Sequence, residues 1–208
     1  MQSKLDEEQL RRGADELAER FGYFRSILDQ YGYSSMWDRS AGFASLLKII
    51  LEQQVSLASA QATYDKLQTR IEEVTPENFL ALGDDELRVV GFSRQKTRYG
   101  RILAEEILTG KLDLSALADM SDSDVSERLC AIKGIGRWTS DIYLLMVLLR
   151  PDVWPKGDLA LLISYQEVLE LGERPSQDEL EKLAAAWAPW RAIAARLLWH
   201  SYLKRRSK

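Results

Sequence analysis

Leu129-Cys130-Ala131-Ile132-Lys133-Gly134-Ile135-Gly136-Arg137-Trp138-Thr139-Ser140, then an apolar run, then Pro151-Asp152-Val153-Trp154-Pro155-Lys156-Gly157-Asp158, is the stretch whose reading decides the fold. It reads as helix, glycine hairpin, helix, proline-punctuated loop and helix. Two glycines bracket Ile135, so the backbone there can take conformations closed to residues with a Cβ while one apolar side chain plugs the bend. The bend opens a second helix. Its first N–H groups lack intrahelical partners and lie at the positive end of the dipole, a place that holds an anion, most naturally a phosphate. Lys133 and Arg137 flank that place, which suits one backbone phosphate of DNA gripped without reading a base.

The helix from Arg137 to Leu149 should run about 20 Å before Pro151 ends it. Pro155 and Gly157 turn the chain back, and Asp158 starts a helix to about Glu170. At a helix start, unpaired N–H groups and the dipole favour an ionised carboxylate, suited to electrostatic or general-base work. Taken alone, an Asp in that position is a cap.

Upstream, Phe43, Leu46, Leu47, Ile50 and Leu51 repeat at helical spacing and predict a buried helix over 42–53, interrupted by the amides of Gln53 and Gln54. Helices follow over 57–72, 77–82 behind the Thr75-Pro76 cap, 84–90, and about 94–109 after the basic turn Gly91-Phe92-Ser93-Arg94-Gln95-Lys96. Ser121 and Asp122 can cap the helix leading into the hairpin. Residues 4–20 should be helical. From Phe21 to Trp37 the chain is rich in aromatics, most of them core, with Tyr33 to Trp37 placed to rim a pocket. Downstream, Ser176 and Glu179 form a capping box and Pro189 opens the last helix, Trp190 to Lys204. Strand alternation is nowhere sustained, so the protein is all-α.

With 208 residues, 46% hydrophobic and 29% charged, the chain can bury a core as one compact unit or two small lobes. The charged start, Met1 to Arg12, is no signal peptide, and no apolar stretch is long enough to span a bilayer. No membrane partner is expected, and a cytoplasmic or nuclear location is. The single Cys130, read as a small core residue, excludes an internal disulfide framework and a four-cysteine iron–sulfur cluster. One histidine, His200, makes no transition-metal constellation. The net charge of −4 argues against nucleic acid, but its distribution argues back. Arg191, Arg196, Lys204, Arg205, Arg206 and Lys208 lie in an acid-free C-terminal stretch, and Arg94, Lys96, Arg98 and Arg101 cluster. No apolar surface stripe is left over, so a monomer is expected.

The hairpin, the Gly/Pro loop and Asp158 resemble the helix-hairpin-helix DNA glycosylases, and within them the 3-methyladenine DNA glycosylase II type. Ile50-Leu51-Glu52-Gln53-Gln54-Val55-Ser56, Trp187-Ala188-Pro189-Trp190-Arg191 and Leu198-Trp199 extend the resemblance over about residues 30 to 203. It implies a two-lobed fold, 39–150 against 1–38 plus 151–208, with the active site in the cleft between lobes. It also implies base excision repair: an alkylated purine such as 3-methyladenine or 7-methylguanine is flipped out of double-stranded DNA and its N-glycosidic bond hydrolysed, leaving an abasic site.

On this resemblance Asp158 is catalytic, and Trp138, Trp199 and Tyr143 receive the base, an indole face attracting a cationic purine. Gln54, with Gln53 beside it, wedges into the duplex. Lys133, Gly134, Gly136, Arg137, Thr139, Arg94 and Lys96 meet phosphates, while Trp154, Trp187 and Trp190 belong to the core. Hairpin carbonyls near Ile132 and Ile135 would hold a structural monovalent cation, with no other cofactor. Relatives that also cut the strand carry a lysine just after the hairpin. Trp138 stands there, which implies a monofunctional enzyme. A glycosylase for a deaminated or oxidised base, and a non-catalytic DNA-binding module, remain alternatives.

Overall fold

In the computed structural model, residues 4–207 are described, and they form twelve α-helices and no strand. In chain order these are α1 (Glu7–Arg20), α2 (Gly22–Tyr31), α3 (Phe43–Glu52), α4 (Leu57–Arg70), α5 (Pro76–Ala81) and α6 (Asp84–Val90). They continue with α7 (Arg94–Leu108), α8 (Asp122–Cys130), α9 (Arg137–Met146), α10 (Leu159–Val168), α11 (Gln177–Ala184) and α12 (Arg191–Arg206). Many starts are set locally. The side chains of Asp6, Ser56, Thr75, Ser93, Ser121, Asp158 and Ser176 each accept an N–H from three residues on, meeting one of the orphan donors of the first turn. None of the described helices is long and apolar enough to cross a membrane.

The chain divides into two compact units, one holding Arg39–Tyr143 and the other the described residues before Arg39 together with Leu144 onward. The division falls inside α9, between Tyr143 and Leu144, and not at residue 150. Pro151 marks where the helix must stop, whereas the division follows which core each side chain joins. In fact α9 stops at Met146, before the proline: Leu149 is left-handed (φ 54°) and the Arg150 N–H closes onto the Leu144 carbonyl at 3.0 Å.

The first unit is built around α3, buried on nearly every side from Phe43 to Glu52 and packed by α4 and α7. Phe43, Phe79 and Phe92 form a line of tilted rings with centroids 5.7 and 5.5 Å apart. Glu52 is buried at the end of α3 and is satisfied by both terminal nitrogens of Arg39, at 2.9 and 3.0 Å. Cys130, expected in this core, is exposed instead, because it falls in the last turn of α8 away from Val125 and Leu129.

The second unit is built around α12, buried continuously from Ala192 to Ser201 and packed by α1, α2 and α10. Trp154, Trp187 and Trp190 are core residues, as expected. Burial pushes the Tyr23 phenol up to about 12, while the Trp187 indole, donating to its hydroxyl at 2.9 Å, acts in the opposite direction.

Three of the C-terminal cations are engaged inside the protein or in ion pairs. Arg196 is fully buried, donating to the carbonyls of Met36 (2.8 Å), Leu145 (2.8 Å) and Ala192 (3.2 Å), and burial lowers its guanidinium to about 10. Arg191 pairs with Asp152 and Arg206 with Glu167. Lys208 lies outside the described residues, as do residues 1–3 of the expected N-terminal lobe.

Candidate functional site

Each unit carries one half of the candidate machinery. In the first unit, α8 ends at Cys130 and the chain bends through 131–136 into α9. The Ile135 N–H donates to the Ile132 carbonyl at 3.0 Å, and both isoleucines are buried, so the apolar plug under the bend is real. Only one of the two glycines is required by geometry. Gly134 has φ 102°, and a Cβ there would lie 2.2 Å from the Tyr99 ring. Gly136 has no positive φ, and a Cβ there would meet nothing.

Lys133, Gly136 and Arg137 are exposed around the start of α9. Arg137 is oriented from below: its Nε donates to both carboxylate oxygens of Asp141, at 2.8 and 3.0 Å, one turn further along α9. Asp141 is completely buried, so this ion pair has one end in the core and the other in solvent. Arg94, the first residue of α7, is also exposed.

Three expected contacts are reassigned. Thr139 is buried, and its hydroxyl accepts from Gln53 Nε2 at 2.8 Å, so its side chain is committed inside the protein. The same Gln53 nitrogen donates to the Gly134 carbonyl at 2.9 Å, so Gln53 is a strut to the hairpin and not a wedge. Lys96 is half-buried, with its ammonium donating to the Leu51 carbonyl at 2.5 Å and burial lowering its pKa, which ties it to the end of α3. Gln54 remains exposed, with a left-handed backbone (φ 56°).

Trp138 is half-buried at the start of α9. Tyr143 is fully buried, and its hydroxyl has no partner among the described residues. Burial pushes that phenol up to about 12. With no exposed face, Tyr143 does not serve as a stacking surface in this structure. Of the hairpin carbonyls, that of Ile132 accepts the Ile135 N–H and that of Gly134 accepts Gln53, so a cation on Ile132 would use the remaining lone pair.

In the second unit Asp158 is half-buried as the N-cap of α10. Its Oδ1 accepts the Leu161 N–H at 3.1 Å and the Trp199 indole N–H at 3.2 Å. Trp199 is nearly buried and meets Trp37 edge-on, with ring centroids 6.4 Å apart at 66°. Trp37 is half-buried, has a left-handed backbone (φ 50°) and also approaches His200, whose Nε2 is 3.0 Å from the Tyr31 carbonyl. Asp158, Trp199 and Trp37 thus form one cluster. The sequence pointed to Tyr33–Trp37 as a possible rim but held no signal for the Trp37–Trp199 contact, which joins residues far apart in the chain. Gln53 was misread for the same reason: an amide ending an apolar helix looks alike whether it faces solvent or a hairpin 81 residues away.

Comparison with known proteins bears on the family and the fold. The family model described as HhH-GPD superfamily base excision DNA repair protein matches residues 47–189. The chain is 30% identical over 164 residues to the alkylbase DNA glycosidase-like protein mag2 of Schizosaccharomyces pombe, covering 76% of this chain and 77% of that protein. Its fold is similar to the 3-methyladenine DNA glycosylase of Schizosaccharomyces pombe solved in complex with abasic DNA, with TM-score 0.85, 24% identity, and 94% and 97% of the two chains covered. It is similar also to the DNA-3-methyladenine glycosidase of Bacillus halodurans, with TM-score 0.76, 28% identity, and 94% and 91% covered.

Proposed function

This chain belongs to the HhH-GPD superfamily of base excision DNA repair proteins, and from that membership we propose that it is a monofunctional DNA glycosylase. Its substrates are alkylated purines of the 3-methyladenine and 7-methylguanine type in double-stranded DNA, and its product is an abasic site. The names of the relatives support this choice of substrate, and so does the complex of the fission-yeast enzyme with abasic DNA.

The observation that carries the mechanism is the Asp158 carboxylate, held by the Leu161 N–H and the Trp199 indole. Breaking the bond between C1′ and the base nitrogen sends the bonding pair to the purine and leaves positive charge on the sugar. A cationic alkylpurine becomes neutral on taking that pair, so no acid is needed to protonate it. A fixed carboxylate beside the sugar stabilises the developing oxocarbenium character. Water then bonds to C1′, and its proton passes to the carboxylate or to solvent.

Selectivity for a cationic base follows from aromatic faces, with a flipped purine attracted by up to about 2 kcal/mol when desolvated. Trp199 and Trp138 are the rings assigned to it. The strand is held at the start of α9 by Lys133, Gly134, Gly136 and Arg137 and at the start of α7 by Arg94, and Gln54 enters the gap. A monovalent cation on the hairpin carbonyls of Ile132 and Ile135 would bridge to phosphate without taking part in the chemistry. The enzyme acts as a monomer. Trp138, standing where strand-cutting relatives carry lysine, supports hydrolysis by water and not through a covalent imine.

The test is release of free bases from methylated duplex DNA by wild type and Asp158→Asn in parallel, with chromatographic identification. Wild type should release 3-methyladenine or 7-methylguanine, while Asp158→Asn should keep DNA binding and lose about 10²–10³-fold in rate. Release by neither, with binding intact, would point to another lesion or to a binding module. A borohydride-trapped covalent adduct would overturn the monofunctional assignment.

A further inference from the structure

Gln53 has no place in the mechanism above, yet its side chain joins the end of α3 to the hairpin. Its amide nitrogen carries two protons, and both are used: one on the Gly134 carbonyl at 2.9 Å, the other on the Thr139 hydroxyl at 2.8 Å. The first acceptor is hairpin backbone, and the second lies in the opening turn of α9. The residue directly after Gln53 is Gln54, exposed and left-handed at φ 56°. A non-glycine residue persists in that region where its surroundings over-determine it.

Those surroundings are on one helix. From α7, Lys96 donates to the Leu51 carbonyl at 2.5 Å, just before Gln53. Three residues on, Tyr99 lies with its ring directly beneath Gly134, and its hydroxyl accepts from Gln95 at 2.8 Å. The end of α3 and the hairpin therefore stand on a common base and are cross-tied above it by Gln53. A displacement of the hairpin cannot leave Gln54 where it was without breaking one of the two amide bonds.

We propose that Gln53 is a positioning residue that sets the wedge Gln54 against the phosphate-gripping hairpin, so that seating a phosphate at the start of α9 fixes the depth at which Gln54 enters the stack. This rests on the glycosylase reading above. Gln53 itself touches no DNA. Its two bonds couple holding the strand to filling the gap, and their loss should leave the grip and weaken the recognition of a vacated site.

The experiment compares wild type, Gln53→Ala, Gln54→Ala and the double variant. The probes are an undamaged duplex and the same duplex carrying a tetrahydrofuran abasic analogue opposite 2-aminopurine. Gln53→Ala should bind the undamaged duplex within about twofold of wild type, while its preference for the abasic duplex falls about tenfold, as expected for two hydrogen bonds. The 2-aminopurine signal of wedge insertion should fall with it. The double variant should be no worse than Gln54→Ala, because Gln53 acts only through Gln54. Retained preference in Gln53→Ala, or additive losses in the double variant, would overturn the proposal. Should Gln53→Ala be unstable, Gln53→Glu keeps length and shape but turns an acceptor toward the Gly134 carbonyl, leaving only the Thr139 hydroxyl able to donate to it, and should show the same loss of preference.

Amide exchange without DNA separates this proposal from the function it rests on. In Gln53→Ala, residues 53–56 and the hairpin should lose protection together, with α12 unchanged. No change there would overturn the coupling even if the enzyme is active. Coupled loss of protection in a protein whose wild type shows no abasic preference would instead overturn the glycosylase reading and leave the coupling standing.

Discussion

Each unit contains a prominent arginine tied into its core, and the two are arranged in opposite senses. In the hairpin unit Arg137 stands in solvent and its carboxylate, Asp141, is completely buried one helical turn away. In the Asp158 unit the arginine is what is buried: Arg196 has no exposed surface and meets three backbone carbonyls. The first arrangement aims a cation outward, as a surface that meets phosphate needs. The second spends a cation on stitching the 36 segment, the end of α9 and α12 together, and the stitched segment carries Trp37 beside Trp199. The same residue type therefore supplies an outward-facing cation in one unit and an internal clamp in the other, and charge counting alone cannot tell them apart.

The largest expected effect tests the clamp. Arg196→Ala leaves the Met36 and Leu145 carbonyls unpaired in the core and opens a cavity, and should cost about 3–5 kcal/mol in urea unfolding. A cost under about 1 kcal/mol would break the comparison, since Arg196 would then be no more than a surface cation. The next test concerns the hairpin. Gly134→Ala must adopt φ near 102° and push its methyl into the Tyr99 ring, a loss of about 2–3 kcal/mol together with weakened DNA binding. Gly136→Ala, at open backbone without positive φ, serves as the control and should be nearly neutral in stability.

The smallest effect sharpens the comparison at the end of the hairpin unit. Tyr143 buries a hydroxyl without a partner among the described residues, so Tyr143→Phe should stabilise the protein by up to about 1 kcal/mol. The pH dependence has a definite sign. Folding raises this phenol from 10.0 to about 12, so the unfolded chain loses its proton first and stability declines as pH rises from about 10 to 12. Tyr143→Phe should flatten that alkaline decline in thermal melts monitored across the range. An unchanged slope would place the alkaline sensitivity in other groups, the buried Tyr23 phenol first among them.

Local chemistry was legible wherever a residue's role involves neighbours a few positions away. The caps at Ser121, Asp158 and Ser176, the proline start of α5 and the isoleucine under the hairpin all depend on such neighbours. The early end of α9 was not legible, because Leu149 in a left-handed conformation leaves no mark of the kind that Pro151 leaves. The exposure of Cys130 was missed because a small residue at a helix end gives no periodic signal. Among the basic residues, sequence spacing could not show that Lys96 reaches the Leu51 carbonyl or that Arg191 and Arg206 find Asp152 and Glu167.

By itself, then, the sequence determined the all-α class, the hairpin and loop leading to Asp158, and the family, because helical periodicity, capping residues and glycine–proline punctuation act over a few residues. Only the tertiary structure decided which polar side chains face outward and which are used up inside. Gln53 against Gly134, Arg196 against Met36 and Trp199 against Asp158 join segments from 41 to 160 residues apart. A hydrogen bond between such segments depends on how the helices pack, and no spacing in the chain records it.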